Sequence, residues 1–176
     1  MTRREIAEKN FVDGYSCAQA VVLAFSDITG FEGKQALMLC SSFGGGMGRL
    51  REVCGAVSGM FIVEGLLEGY SYPDLPDAQA QKAQHYARIQ QLARRFKEIN
   101  GSIVCREILG ARATTDPTPD ARTPEYYRTR PCAKMCGDAA EVLEQFLIER
   151  GTNGSLYWRK AHINRRFCQY KHYEFL

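Results

Sequence analysis

The chain carries seven cysteines in 176 residues, yet it has no CxxC pair. That absence excludes zinc ribbons, zinc knuckles and thioredoxin-type sites, whose ligands or redox partners arrive as close doublets. Long hydrophobic runs are missing as well. The most apolar stretch, Ala56 to Leu67, holds Glu64 and two glycines and falls short of the about 20 residues a bilayer-spanning helix needs. Membrane insertion is therefore not expected. Met1 to Lys9 has basic residues but no apolar segment behind them and no small-residue cleavage site, so a cytoplasmic protein is expected. Internal repeats and low-complexity segments are also absent. Glycines 44–46 and 48 form the richest glycine loop, but it lacks the lysine of GxxxxGK[ST] and follows an expected helix, which argues against a nucleotide cradle. Gly55-Ala56-Val57-Ser58-Gly59 has Ala56 where a nucleophile elbow needs glycine.

What remains is an ordinary globular composition, 45% hydrophobic and 24% charged, which argues against disorder and suits one domain with a sizeable core. The net charge of +3 is unevenly placed. Residues 155–176 carry five Lys/Arg against Glu174, together with six aromatics. We therefore divide the chain into a helical cysteine-bearing domain, 1–150, and a basic aromatic tail, 151–176, expected to dock on that domain or on a second subunit.

Apolar residues recur at three- and four-residue steps, which predicts an all-α, compact single-domain bundle of about five to seven helices. The expected helices cover 3–12, a segment capped by Ser16, 35–42, a most apolar helix from Glu52 to about Gly69, 77–99, 102–109, and one from Pro131 to Gly151. Residues 77–99 predict a buried stripe of Ala83, Tyr86, Ile89, Leu92, Ala93, Phe96 and Ile99. Residues 111–131, with four prolines, read as a long loop without helical period, and ordered loops of that length are often functional.

Four cysteines share a local context: Cys17, Cys54, Cys105 and Cys132 each fall in the first turn of an expected helix. Unpaired N–H groups and the positive dipole end gather there, and both favour thiolate, often lowering the thiol pKa from about 8.5 to roughly 3.5–7.5. Thiolate is the form that binds metal or attacks a disulfide. An odd cysteine count in a reducing compartment argues against a full structural disulfide set. Cys40, Cys136 and Cys168 fall within helices or the tail and read as packing cysteines. Gly46, Gly48 and Gly55 let the backbone approach a bound group closely, and Arg49 and Arg51 would suit an anionic one. His85 reads as a solvent-facing or satisfied packing residue, His162 and His172 fall in the tail, and Glu64 and Glu68 read as lining a cavity or facing water. Arg112, Arg122, Arg128 and Arg130 read as solvated charge, with shielding of an anionic site as the alternative.

The blocks Gly14-Tyr15-Ser16-Cys17-Ala18-Gln19-Ala20-Val21, Phe43-Gly44-Gly45-Gly46-Met47-Gly48, Cys54-Gly55-Ala56-Val57-Ser58-Gly59, Cys105-Arg106-Glu107-Ile108-Leu109-Gly110 and Arg130-Pro131-Cys132 occur in order. With them the chain resembles the redox-active proteins named for the pattern C_GCAxxG_C_C, over roughly residues 4–148. The resemblance carries the family's four defining cysteines onto Cys17, Cys54, Cys105 and Cys132. One departure is Val53, where the name of the family has glycine. The resemblance implies a redox role without a settled substrate; a similar domain in split-Soret cytochromes is associated with an iron–sulfur cluster.

Three readings of the four cysteines stay open. The first is an iron–sulfur cluster or other metal used for electron transfer or redox sensing; four thiolates satisfy such ligation, and a [2Fe–2S] centre so held carries roughly −2 when oxidised. A dithiol/disulfide oxidoreductase is the second, with the same four residues as the catalytic set. Structural zinc is the third, and no bound metal at all is the companion of the dithiol reading. The expected partner is a redox protein, a homodimer is compatible with the tail, and nucleic acid is disfavoured because so apolar a tail more readily docks on protein.

Overall fold

The computed structural model describes residues 1–71 and 76–151. The described residues are all-α: ten α-helical segments and one 3-10 turn, with a single isolated bridge pair and no strand. The expected count of five to seven was low because the chain breaks its helices at glycines and places one-turn pieces between the long ones. No described helix is long and apolar enough to cross a membrane.

Local chemistry sets the helix starts. Helix α1 (Arg3–Val12) begins at Thr2, whose hydroxyl accepts the Glu5 N–H while the Glu5 carboxylate accepts the Thr2 N–H. Helix α2 (Cys17–Leu23) repeats the device with Ser16 and Gln19. After the short α3 (Ser26–Thr29), Gly30 turns left-handed, and α4 (Gly33–Ser41) leads to the glycine loop. There α5 (Gly44–Met47) is a kinked single turn, with Gly45 and Gly46 at positive φ.

The apolar helix α6 (Gly55–Glu68) starts three residues later than the expected Glu52. Residues 52–54 are extended because Val53 pairs antiparallel with Val104. The Cys54 N–H donates to the Ile103 carbonyl at 2.8 Å and the Cys105 N–H to the Glu52 carbonyl at 2.6 Å. The same pairing shortens the expected 102–109 helix to α8 (Cys105–Leu109). Two cysteines far apart in sequence are thus set side by side by a backbone ladder that no helical periodicity announces.

Helix α7 (Ala78–Asn100) buries only Leu92 and Phe96 of the expected stripe; Ala83, Tyr86 and Ile99 are exposed. Its first half instead turns Arg88 onto Glu64. The 111–131 segment is not wholly irregular. A 3-10 turn covers Gly110–Arg112, and α9 (Pro124–Thr129) has Pro124 in its first turn and the Thr123 hydroxyl accepting the Tyr126 N–H. Last comes α10 (Cys132–Glu149), which packs along α1, α2, α6 and α7. Arg4 of α1 reaches buried Asp138 of α10 at 2.5 Å and Glu141 at 2.6 Å. The 152–176 tail, with Cys168, His162 and His172, lies outside the described residues.

Candidate redox centre

All four cysteines sit at helix starts. Cys17, Cys105 and Cys132 are the first residues of α2, α8 and α10, and Cys54 is the cap residue before α6. Because these helix starts lie at one end of the bundle, the four side chains line a single cavity of about 240 Å³. Cys54 and Cys105 are buried, while Cys17 and Cys132 are partly exposed. Among the described residues no three of His, Cys, Asp or Glu form a ready group for a single metal ion. The cysteines border a space.

Glycine makes the close approach possible at two points. A Cβ on Gly46 would lie 2.6 Å from the Cys105 Cβ, and one on Gly55 would lie 2.7 Å from the Phe43 carbonyl oxygen and 3.1 Å from the Cys17 Cβ. Both glycines line the cavity. Gly48 does not; at φ +61° it closes the turn after α5. Met47, Arg49 and Arg51 also hold positive φ, which is uncommon for residues with side chains and needs surrounding structure to enforce it.

The enforcing contacts come from the long loop. Arg49 donates through Nε to the Asp116 carbonyl and through Nη1 to Asp120 at 2.7 Å, and Arg51 donates through Nε to the Thr114 carbonyl at 2.6 Å. Arg130 reaches the same Asp120 at 3.1 Å. Arg122 donates to the Phe11 and Tyr15 carbonyls and lies over the Phe11 ring, 4.4 Å from its centroid. Arg49, Arg51, Arg122 and Arg130 line the cavity, opposed by the single carboxylate Asp120. Arg112 and Arg128 are exposed away from it, the latter paired with Glu125.

The thiol electrostatics reverse one expectation. Burial pushes the Cys54 thiol up to about 12, although the Ala56 and Val57 N–H groups pull the other way. Burial likewise raises Cys105 against the opposing pull of Arg51. Cys132 is raised by its hydrogen bond with Cys17 and then by burial. Cys17 also ends raised: its bond with Cys132 works downward, but Cys136, burial and the neighbouring thiols outweigh it. The expected stabilisation of thiolate by helix-start N–H groups shows at Cys54, where it is too small to offset desolvation.

Cys136 belongs to this crowd. Placed by sequence among packing cysteines, it raises the Cys17 thiol pKa, and its Sγ donates to the Cys17 carbonyl at 3.8 Å. The four-residue spacing from Cys132, which puts both on one face of α10, was the available signal. Cys40 is buried and is not among the lining residues. At the other end of the bundle Glu64 is fully buried, not solvent-facing, and pairs with Arg88 at 2.6 Å. His85 is half-buried, edge-on to Tyr70.

In comparison with known families, the chain matches the one described as "Putative redox-active protein (C_GCAxxG_C_C)" over residues 15–146. The chain belongs to this family. The matched span holds the glycine loop and every cysteine of the cavity, and it leaves out the tail. No curated protein and no solved structure matches the chain. Four cysteines spread through the matched span thus line one cavity.

Proposed function

We propose that Cys17, Cys54, Cys105 and Cys132 act as one redox centre that holds an iron–sulfur cluster for electron transfer or redox sensing. The observation that carries the reading is that four thiols opening four different helix starts line one cavity. When bound, the cluster would supply reversible electron exchange. The donor set suits it, since four cysteine thiolates complete cluster ligation, and the arginine-rich wall suits its negative charge. Raised thiol pKa values mean that the metal-free protein keeps these groups protonated near neutral pH. Thiolate formation is then linked to metal binding, and the same protonation makes the free thiols slow nucleophiles. A separate electron-carrier protein is the partner this function needs.

The closeness of the Cys17 thiol to those of Cys132 and Cys136, each of which perturbs its proton affinity, favours a second reading, dithiol/disulfide exchange. Two thiols would give up two protons and two electrons to a substrate disulfide, which becomes two thiols as the protein disulfide forms. Metal and acid-labile sulfide analysis of protein purified without oxygen separates the two. Iron with sulfide and visible absorption supports the cluster. Metal-free protein whose cysteines cross-link reversibly replaces it with the dithiol enzyme, and zinc without iron replaces both with a structural site.

A further inference from the structure

We infer that the arginine wall of this cavity is an anion subsite centred on Arg51 and adjacent to Cys105. The inference rests on the reading of the cavity as a cysteine redox centre. Arg51 is only 4% exposed. Its Nε is satisfied by the Thr114 carbonyl, and its Nη1 points to the Gly45 carbonyl at 3.4 Å and the Cys105 Sγ at 4.0 Å. Its Nη2 is buried without any hydrogen-bond partner. Leaving a donor of a buried charged group unpaired is costly, so the guanidinium of a residue that lines the cavity is suited to an acceptor arriving from outside the chain.

The neighbouring guanidinium groups do not share this condition. Arg49 and Arg130 divide Asp120 between them, and Arg122 is spent on two backbone carbonyls. Among the described residues no carboxylate pairs with Arg51. Its backbone is also held left-handed at φ +63°, fixed by the Arg106 N–H donating to the Arg51 carbonyl at 3.0 Å. The side chain is therefore pre-positioned, with little freedom to turn elsewhere. With a liquid water occupying about 30 Å³, a cavity of 240 Å³ takes a small ligand. The ligand is an anion with oxygen or sulfur acceptors. Its source is either a sulfide of the cluster or a small diffusible oxyanion.

The test uses reduced wild-type protein and Arg51→Leu, with sulfate as the probe of the metal-free form. In parallel, both proteins are loaded anaerobically with iron and sulfide and the rate of cluster loss to a chelator is followed. Saturable sulfate binding that weakens about tenfold or more in R51L identifies a diffusible oxyanion. No sulfate binding, with cluster loss at least several-fold faster in R51L, identifies the cluster sulfide. Equal behaviour of the two proteins in both measurements overturns the inference, as does wild-type protein that neither binds sulfate nor loads. Should R51L not fold, the same criteria apply to Arg51→Gln, which keeps a donor without the charge. The parent reading fails separately: Cys54→Ser and Cys132→Ser that load like wild type contradict the cysteine centre and leave sulfate binding untouched.

Discussion

The two ends of the bundle bury polar chemistry in different ways. At the α6–α7 end, buried Glu64 meets Arg88 at 2.6 Å, and Arg88 also approaches Glu68 at 3.3 Å, so the charge is compensated within the chain. At the cysteine end, four thiols and Arg51 line one cavity, with Cys136 buried behind Cys17 and the Nη2 of Arg51 unpartnered, on a backbone with four residues in succession, Gly45 to Gly48, at positive φ. Both ends leave buried polar atoms without a hydrogen-bond partner, Glu64 Oε2 and His85 Nδ1 at one and Arg51 Nη2 at the other, so the difference lies in charge and backbone. Glu64 has a cationic partner within the chain, whereas among the described residues Arg51 has no carboxylate within ion-pair distance and sits on a left-handed backbone, the pattern expected of a site.

That contrast can be broken most forcefully at the compensated end. Arg88→Leu leaves Glu64 buried without its partner and should cost about 3–5 kcal/mol in denaturant unfolding. The cysteine content accessible to reagents in the native protein should stay unchanged if the two ends are independent. At the cysteine end, Gly46→Ala combines a left-handed φ of +72° with a Cβ set against Cys105. It should cost about 2–4 kcal/mol and impair loading of the centre.

Alkaline pH sharpens the comparison, because the linkage has a definite sign. Cys54 has a folded-state pKa of about 12 against an ordinary thiol value of 9.0, so the unfolded chain loses its proton first as pH rises. The contribution is fully present below about 9 and is lost between there and about 12. Urea unfolding of metal-free protein should therefore weaken across that window, and Cys54→Ala should flatten the profile. The smallest effect is expected at Gly65, mid-helix in α6, where a Cβ would meet nothing within 4 Å. Gly65→Ala should raise stability by roughly 0.5–1 kcal/mol in thermal unfolding, opposite in sign to Gly46→Ala.

Much of the cysteine end was legible in local signals. Ser16 before Cys17 and Pro131 before Cys132 marked helix starts, and the glycine run marked a sharp break. What sequence periodicity could not supply was the pairing of 52–54 with 103–105, a contact between distant segments. That pairing moved the start of α6 from Glu52 to Gly55 and brought Cys54 and Cys105 together. The thiol pKa direction was misjudged for a related reason: a helix start is visible locally, whereas burial among other thiols exists only after folding. Tyr86 and Ile99 of α7 are exposed, because the buried contact of α7 is confined to Leu92 and Phe96, a limit that periodicity along one helix does not reveal. Arg51 was noticed for its charge beside Cys54, but its orphaned Nη2 depends on which carbonyls and carboxylates its neighbours have already claimed.

The central claim is that four cysteines operate as one unit, and it is tested most directly by iron and acid-labile sulfide per chain after anaerobic loading. Wild type is compared with single serine variants at Cys17, Cys54, Cys105 and Cys132, and with Cys40→Ser as the control. The account predicts that each of the four changes abolishes or severely reduces cluster content while Cys40→Ser leaves it intact. Full content in any two of the four single variants would contradict it.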